Sequence, residues 1–521
     1  MRWLEQPVRE NRDSGSPMIE VLPGPGEAGS RWSYRDVFDA VFALAGRLRQ
    51  VASAGGSRPQ VGLLAHNTPA WLVADLACLV AGVIEVPVPL AFSRDQAASL
   101  LRETSLCLTD EAGAQQLARW GAKDVLPPWA DVQVVDVAAL TTRGRGLPVP
   151  PLAEADWVCK VIHTSGTTSD PKGVRIRAEG LGALLGSLHR RMPPGSGERF
   201  LSLVPLSLLI EQVAACYLPL LSGGTTVLLP QRAPLIGTAP GAAAELLRYI
   251  QLGRPSGMQG PPMLYEGFAA IADAHPGDTT AQLAQRLFGR PEPAFLACGG
   301  APVSPNVLAN LWQRGIRVYE GYGLSENSSV VSWNTPDSWR LGSVGRPLDH
   351  VTARIAADGE LLITSSSLFD GYTRNDPSSC QVDPDGWLHT GDLADIDDDG
   401  FIYIRGRKKN VIITAAGRNI APDWVASRYR ELPEVEAAVV FGDRLDELVG
   451  FFVLASGYGE ADARRAIEEF GATQLSGVER VSQIHLILPA DPSLDGLFTV
   501  TGRPVRERIW QLITEKGNVH A

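Results

Sequence analysis

Hydroxyls, glycines and one lysine are gathered in His163-Thr-Ser-Gly-Thr-Thr-Ser-Asp-Pro-Lys-Gly-Val-Arg-Ile-Arg177, directly after the apolar run Trp157-Val-Cys-Lys-Val-Ile162. A strand that runs into such a loop suits a polyphosphate. The hydroxyls of Thr164, Ser165, Thr167 and Thr168 and free backbone N–H groups can ring the anion, Gly166 lets the backbone approach it, and Lys172 adds a point charge. The pattern is not the Walker loop, because Pro171 precedes Lys172 and Gly173 follows it. Taken alone, the stretch fits an anion cradle and a polar surface loop equally well.

Three further stretches and one arginine offer chemistry of a compatible kind. Cys298-Gly-Gly-Ala-Pro302 sets Gly299, Gly300 and Ala301 at a strand end, where a flat base can lie on bare backbone. Glu320-Gly-Tyr-Gly-Leu-Ser-Glu326 supplies a carboxylate at Glu320, glycines at Gly321 and Gly323, an aromatic face at Tyr322, a hydroxyl at Ser325 and a second carboxylate at Glu326. Trp387-Leu-His-Thr-Gly-Asp392 ends in a carboxylate suited to paired ribose hydroxyls, and Arg407 follows. Singly, Tyr322 is equally a core aromatic, Glu326 a solvated acid and Asp392 a turn residue; their order along one chain is what carries weight.

The elements that must position these residues alternate. Val37, Val41, Leu44, Leu48 and Val51 recur at helical spacing behind a Ser33/Asp36 cap pair. Val61–Leu64 reads as a strand, 69–81 as a helix ending at Gly82, and 83–88 as a strand; 200–205, an apolar helix pattern through Leu221 and 225–229 repeat the alternation. This predicts an α/β fold: a large N-terminal domain of doubly wound, mainly parallel sheets. From Ser343 onward, Asp358-Gly359 and Asp399-Gly400 each sit between two strand-like runs, which predicts two tight hairpins and a small antiparallel β lobe. The acidic run Asp397-Asp398-Asp399 is then a solvated hairpin tip. The basic run 405–409 marks a boundary, predicting an N-terminal domain over 1–407 and a small, mobile α+β C-terminal domain over 408–521.

With 521 residues, 45% hydrophobic and 20% charged, the chain can bury a large core. A net charge of −11 argues against nucleic acid as a general partner. No apolar run reaches the length of a membrane span and the N-terminus lacks a cleavable leader pattern, so a cytoplasmic protein is expected. The six cysteines lie far apart without a CxxC pair and read as reduced, packed thiols.

The joint set resembles the adenylate-forming superfamily of acyl-CoA synthetases, aryl-CoA ligases, luciferases and adenylation domains. Pro205-Leu-Ser-Leu-Leu-Ile-Glu-Gln-Val213, 254–266 and 406–422 look most like its long-chain fatty acyl branch. The resemblance implies an ATP- and Mg2+-dependent ligase that activates a carboxylic acid, expected to be fatty, to an acyl-adenylate. The acyl group then passes to a thiol, that of coenzyme A or of the phosphopantetheine on an acyl carrier protein. Residue by residue, it implies that Thr164 to Thr168 and Lys172 hold the phosphates, and that Gly299, Gly300, Ala301 and the Glu320–Gly323 stretch with Tyr322 hold adenine. Ser325 would touch the α-phosphate, Glu326 with Thr164 would bind the metal, and Asp392 with Arg407 would hold the ribose. Lys409 would be the hinge, about which the C-terminal domain swings to present first Arg503 and then the Ala416-Gly417 segment.

Three positions depart from the family's wording. Ser169 stands in place of a glycine in the phosphate loop, Leu208 replaces a histidine near the acyl entrance, and Arg503 replaces the lysine that bridges the two reacting anions. Arginine keeps the charge but is larger, planar and forked. Two other outcomes therefore stay open: an adenylate used for amide, ester or lactone formation, and a homologue that binds nucleotide and acyl group with impaired turnover.

Overall fold

A buried stripe organises the first long helix, Tyr34–Ser53: Val37, Val41 and Leu44 have no exposed surface and Leu48 is 1% exposed, whereas Val51 faces solvent. Its cap pair forms, with Asp36 N donating to Ser33 Oγ at 3.2 Å and Ser33 N to Asp36 Oδ2 at 3.1 Å. The helix Pro69–Ala81 starts on a proline, whose missing N–H costs nothing there, and stops at Gly82 in the left-handed region at φ 76°. The computed structural model describes residues 1–53, 58–152, 156–163, 172–236, 243–301, 303–374, 380–413, 419–443, 445, 447–498 and 504–515.

Among the described residues two large, mainly parallel sheets carry the fold. The six-stranded one runs, in spatial order, Asp131–Val134, Thr104–Thr109, Gln60–Leu64, Ile84–Pro87, Val158–His163 and Gly173–Arg177, with only the last pair antiparallel. The nine-stranded one centres on Val318–Leu324, Phe295–Cys298, Gly257–Gly260, Arg199–Leu201 and Thr225–Leu228, all parallel. Pro17–Val21 and Ser30–Ser33 complete it at one edge, after a first helix, Arg2–Asn11. Sequence periodicity missed all three of these N-terminal elements. The apolar helix pattern through Leu221 is broken into Leu209–Glu211, a π-helical segment Gln212–Tyr217 and Leu218–Leu221.

Both Asp-Gly hairpins form. Val351–Ile355, Glu360–Ser365, Leu388–Ile396 and Ile402–Arg407 make a four-stranded antiparallel lobe, with Gly359 and Gly400 at φ 85° and 83° in the turns. The acidic tip is not merely solvated: Arg340 donates to Asp397 and, at 2.7 Å, to Asp399 Oδ2. From Ile412 onward the described residues form two apolar clusters around Val435–Phe441, Leu448–Leu454 and Val481–Ile487. This part touches the rest through Arg430, 2.8 Å from Glu266, while Lys408 just before it reaches Asp358 at 2.6 Å and Glu360 at 2.9 Å. The cysteines are free; five are buried and Cys380 is partly buried.

Inside the six-stranded sheet sits a charged cluster that hydropathy alone did not single out. Lys160 and Glu85 are register partners on adjacent strands, and Lys160 donates to both Glu85 and Asp75 with all three side chains fully buried. The Tyr217 hydroxyl lies 2.7 and 2.9 Å from the two Asp75 oxygens. Lys160 stands three residues before His163, so this cluster anchors the strand that leads into the hydroxyl-rich loop.

Candidate active site

The strand Phe295–Cys298 ends at Gly299, and the neighbouring Val318–Leu324 carries Glu320 opposite Cys298. Gly299–Ala301 and Gly321–Gly323 therefore lie side by side; a Cβ on Gly299 would stand 3.4 Å from the Gly321 carbonyl oxygen. Gly300 adopts φ 85°, which favours glycine. Gly323 has no alternative either, since a Cβ there would meet the Ser329 carbonyl oxygen at 1.8 Å. Glu320 is buried and accepts from the Val303 amide at 3.1 Å; burial pushes its carboxyl up to about 7.

Tyr322 crosses from this strand to the antiparallel lobe. Its hydroxyl donates to Asp392 Oδ2 at 2.5 Å, and Arg407 Nε lies 2.7 Å from Asp392 Oδ1. Asp392 and Arg407 face each other in register across the second hairpin. Burial raises the Asp392 carboxyl while Arg407 and the Tyr322 hydroxyl pull it back. The sequence-predicted Tyr322, Asp392 and Arg407, separated by as many as 85 positions, thus meet in one network beside the paired glycines.

Ser325 opens a short 3-10 turn, Ser325–Asn327, that contains the buried Glu326. The backbone beyond it is strained: Ser328 at φ 56° and Ser329 at φ 122° are two of the three described non-glycine residues with positive φ. Tyr372, not singled out from the sequence, donates to Glu326 Oε1 at 2.6 Å. Tyr372 also bridges Val174, and Thr373 N donates to the Gly173 carbonyl at 2.8 Å, which ties Glu326 to the strand that begins right after Lys172. His163, at the other edge of the loop, is held neutral by burial, its pKa lowered to about 3.

Thr164, Ser165, Gly166, Thr167, Thr168, Ser169, Ala416, Gly417 and Arg503 lie outside the described residues. Lys409 is exposed in a 3-10 turn, Lys408–Asn410. Leu208 is 40% exposed at the start of Leu209–Glu211. Behind it Glu211 is fully buried, accepts from Gln259 Nε2 at 2.5 Å and from Leu203 N at 3.2 Å, and is pushed up to about 7 by burial. Tyr372 did not stand out in the sequence, and Glu211 did so only as part of the 205–213 stretch, because each depends on partners that only the fold supplies.

The chain is similar to several known proteins. The chain is 29% identical over 425 residues to the long-chain-fatty-acid–CoA ligase FadD15 of Mycobacterium bovis, covering 72% of this chain and 69% of that one. It is 28% identical to the feruloyl-CoA synthase of an Amycolatopsis species, over 80% of this chain and 81% of the other. Among solved structures, the anthranilate CoA ligase AuaEII in complex with anthranoyl-AMP superposes with a TM-score of 0.78 at 18% identity, covering 99% of this chain and 96% of that one. The o-succinylbenzoate coenzyme A synthetase of Bacillus subtilis, in complex with ATP and magnesium ion, gives 0.72 at 20% identity over 97% and 98% of the two chains. These likenesses carry the fold. The model of the AMP-binding enzymes matches residues 11–373, well over half of the sequence, and the chain belongs to the AMP-binding enzyme family.

Proposed function

We propose that this enzyme joins a fatty acid to ATP and then passes the acyl group to a thiol, that of coenzyme A or of a carrier-protein phosphopantetheine. In the first step a carboxylate oxygen attacks the α-phosphorus, the bond to the β-phosphate breaks, and pyrophosphate leaves. In the second, a thiolate attacks the acyl carbonyl and AMP leaves. The observation that carries the reading is Asp392, held between Tyr322 and Arg407 beside Gly299–Ala301 and Gly321. A flat base on the glycine backbone and a ribose on the carboxylate fit that juxtaposition.

The first step brings two anions together, so charge must be neutralised and the attack held in line. Lys172, with Thr164 to Thr168, would hold the phosphates, and Arg503 would come to the attacking carboxylate. Glu326 fits a metal site: it is buried, Oε1 takes the Tyr372 hydroxyl, and Oε2 has no hydrogen-bond partner among the described residues. A single carboxylate matches Mg2+, which keeps waters and substrate phosphates for its remaining positions; Glu326 and Thr164 would hold it. When bound, Mg2+ supplies charge neutralisation at the phosphates. In the same reading 1–407 and 408–521 form two domains, and rotation near Lys409 separates the half-reactions.

The fatty substrate is supported by the FadD15 likeness and by the wording of 205–213 and 406–422. An aryl acid is the second reading, favoured by the feruloyl-CoA synthase match over a larger share of both chains. Pyrophosphate release, measured with ATP, Mg2+ and a panel of fatty and aryl acids with and without coenzyme A, separates them. Release with fatty acids and a thioester with coenzyme A is expected; release with aryl acids alone would replace the substrate. Release without a thioester would point to a carrier protein or another acceptor.

A further inference from the structure

The segment Phe369–Thr373 grips both sides of the proposed phosphate and metal region. Toward Glu326 it makes two bonds: Phe369 N donates to the Glu326 carbonyl at 2.9 Å, and the Tyr372 hydroxyl donates to its Oε1 at 2.6 Å. Toward the strand after Lys172 it makes a short ladder. Asp370 N donates to the Arg175 carbonyl at 2.8 Å, Arg175 N to the Gly371 carbonyl at 3.1 Å, Thr373 N to the Gly173 carbonyl at 2.8 Å, and Gly173 N to Thr373 Oγ1 at 3.1 Å. The approach is tight, since a Cβ on Gly173 would stand 2.8 Å from Thr373 Cγ2 and 2.9 Å from His163 Nε2. The ring of Tyr372 is itself set edge-on against Phe369, with centroids 4.8 Å apart.

Such a strap gives the buried carboxylate one orientation. A phenol on Oε1 leaves Oε2 as the oxygen available to a cation, and the ladder ties the Glu326 turn to the strand Gly173–Arg177 that follows Lys172. Partners of this kind orient metal-binding side chains and tune their affinity without touching the ion. We propose that Tyr372 is a positioning residue for adenylation, which fixes the Glu326 carboxylate for the metal ion and joins it through the Phe369–Thr373 strap to the strand Gly173–Arg177. This rests on the reading of Glu326 as the metal residue.

The test uses the full chain, with Tyr372→Phe and Glu326→Gln made separately. ATP binding is followed by calorimetry across a Mg2+ titration with no acid present, so no turnover is needed. Thioester formation is measured from supplied acyl-adenylate and coenzyme A in the same preparations. Tyr372→Phe should raise the Mg2+ concentration at half-saturation about tenfold, while thioester formation from the adenylate falls by less than about twofold. Glu326→Gln should shift the Mg2+ dependence further. If Glu326→Gln shifts the titration and Tyr372→Phe does not, the role of Tyr372 is overturned and that of Glu326 stands. If Glu326→Gln leaves the titration where it was, the metal reading fails, and the proposal with it. Loss of ATP binding and thioester transfer together in Tyr372→Phe would assign the tyrosine to folding and overturn the proposal as well.

Discussion

Replacing Lys160 by methionine tests how the strand Val158–His163 is held. Lys160, Asp75 and Glu85 are all fully buried, and the ammonium is the single cation between the two carboxylates among the described residues. Burial alone would lower the Lys160 pKa, but Asp75 and Glu85 outweigh it and raise it. Burial drives Glu85 well above its usual range, with Lys160 pulling it down and Asp75 pushing it up. Glu85 Oε1 has no hydrogen-bond partner among the described residues, so the cluster has little reserve once the ammonium goes. Removing one partner of such a set costs about 3–5 kcal/mol, a large share of the roughly 5–15 kcal/mol that stabilises a folded domain. Lys160→Met should therefore melt several degrees below the parent at pH 8, followed by tryptophan fluorescence. Without the lysine nothing offsets the burial that raises Glu85, and its protonated form is favoured in the folded state. The Glu85 contribution is full below the ordinary carboxylate value near 4 and is lost as pH rises through the raised folded one, so the deficit should shrink at pH 5. Adding Asp75→Asn and Glu85→Gln should recover much of the loss, because a wholly neutral set leaves no uncompensated charge. A Lys160→Met protein that melts with the parent at pH 8, or whose deficit grows in acid, would refute the reasoning.

Glu320, raised to about 7, gives a second pH test. Its stabilising contribution is full below about 4.3 and lost as pH rises through about 7, so Glu320→Gln should melt higher than the parent at pH 8 and not at pH 5. Asp392→Asn removes the charge opposite Arg407 and should weaken ATP binding about ten- to a hundredfold by calorimetry, with the melting temperature close to the parent's. Arg503→Ala should slow adenylation about a hundredfold and thioester formation from supplied adenylate far less; equal losses in the two steps would remove Arg503 from the first.

Local signals carried the elements whose ends are chemically marked. Proline at the start and glycine after the end bounded Pro69–Ala81, and Asp-Gly placed both hairpins of the lobe. Short strands that pair across long gaps stayed hidden: Pro17–Val21 is specified by Thr225–Leu228, some two hundred positions on, and nothing local announces it. Among the candidate-site residues, Gly299, Gly300, Tyr322, Asp392 and Arg407 were picked out because each stands in a distinctive word, and the fold brings them together. Tyr372 was not, since its value comes from reaching Glu326 across 46 positions. Lys160 and Glu85 did leave a trace, one charge in each of two otherwise apolar strand runs, but apolar runs with a lone charge are also common at sheet edges. Asp397 and Asp399 read as solvated because Arg340 lies far off in sequence.

The central claim is that this AMP-binding enzyme makes an acyl-adenylate from a fatty acid. The most direct measurement is isotope exchange between labelled pyrophosphate and ATP, with Mg2+ and a long-chain fatty acid but no thiol. The account predicts exchange that depends on the acid and collapses in Glu326→Gln. Absence of exchange with every fatty acid tried, from protein that binds ATP, would contradict it.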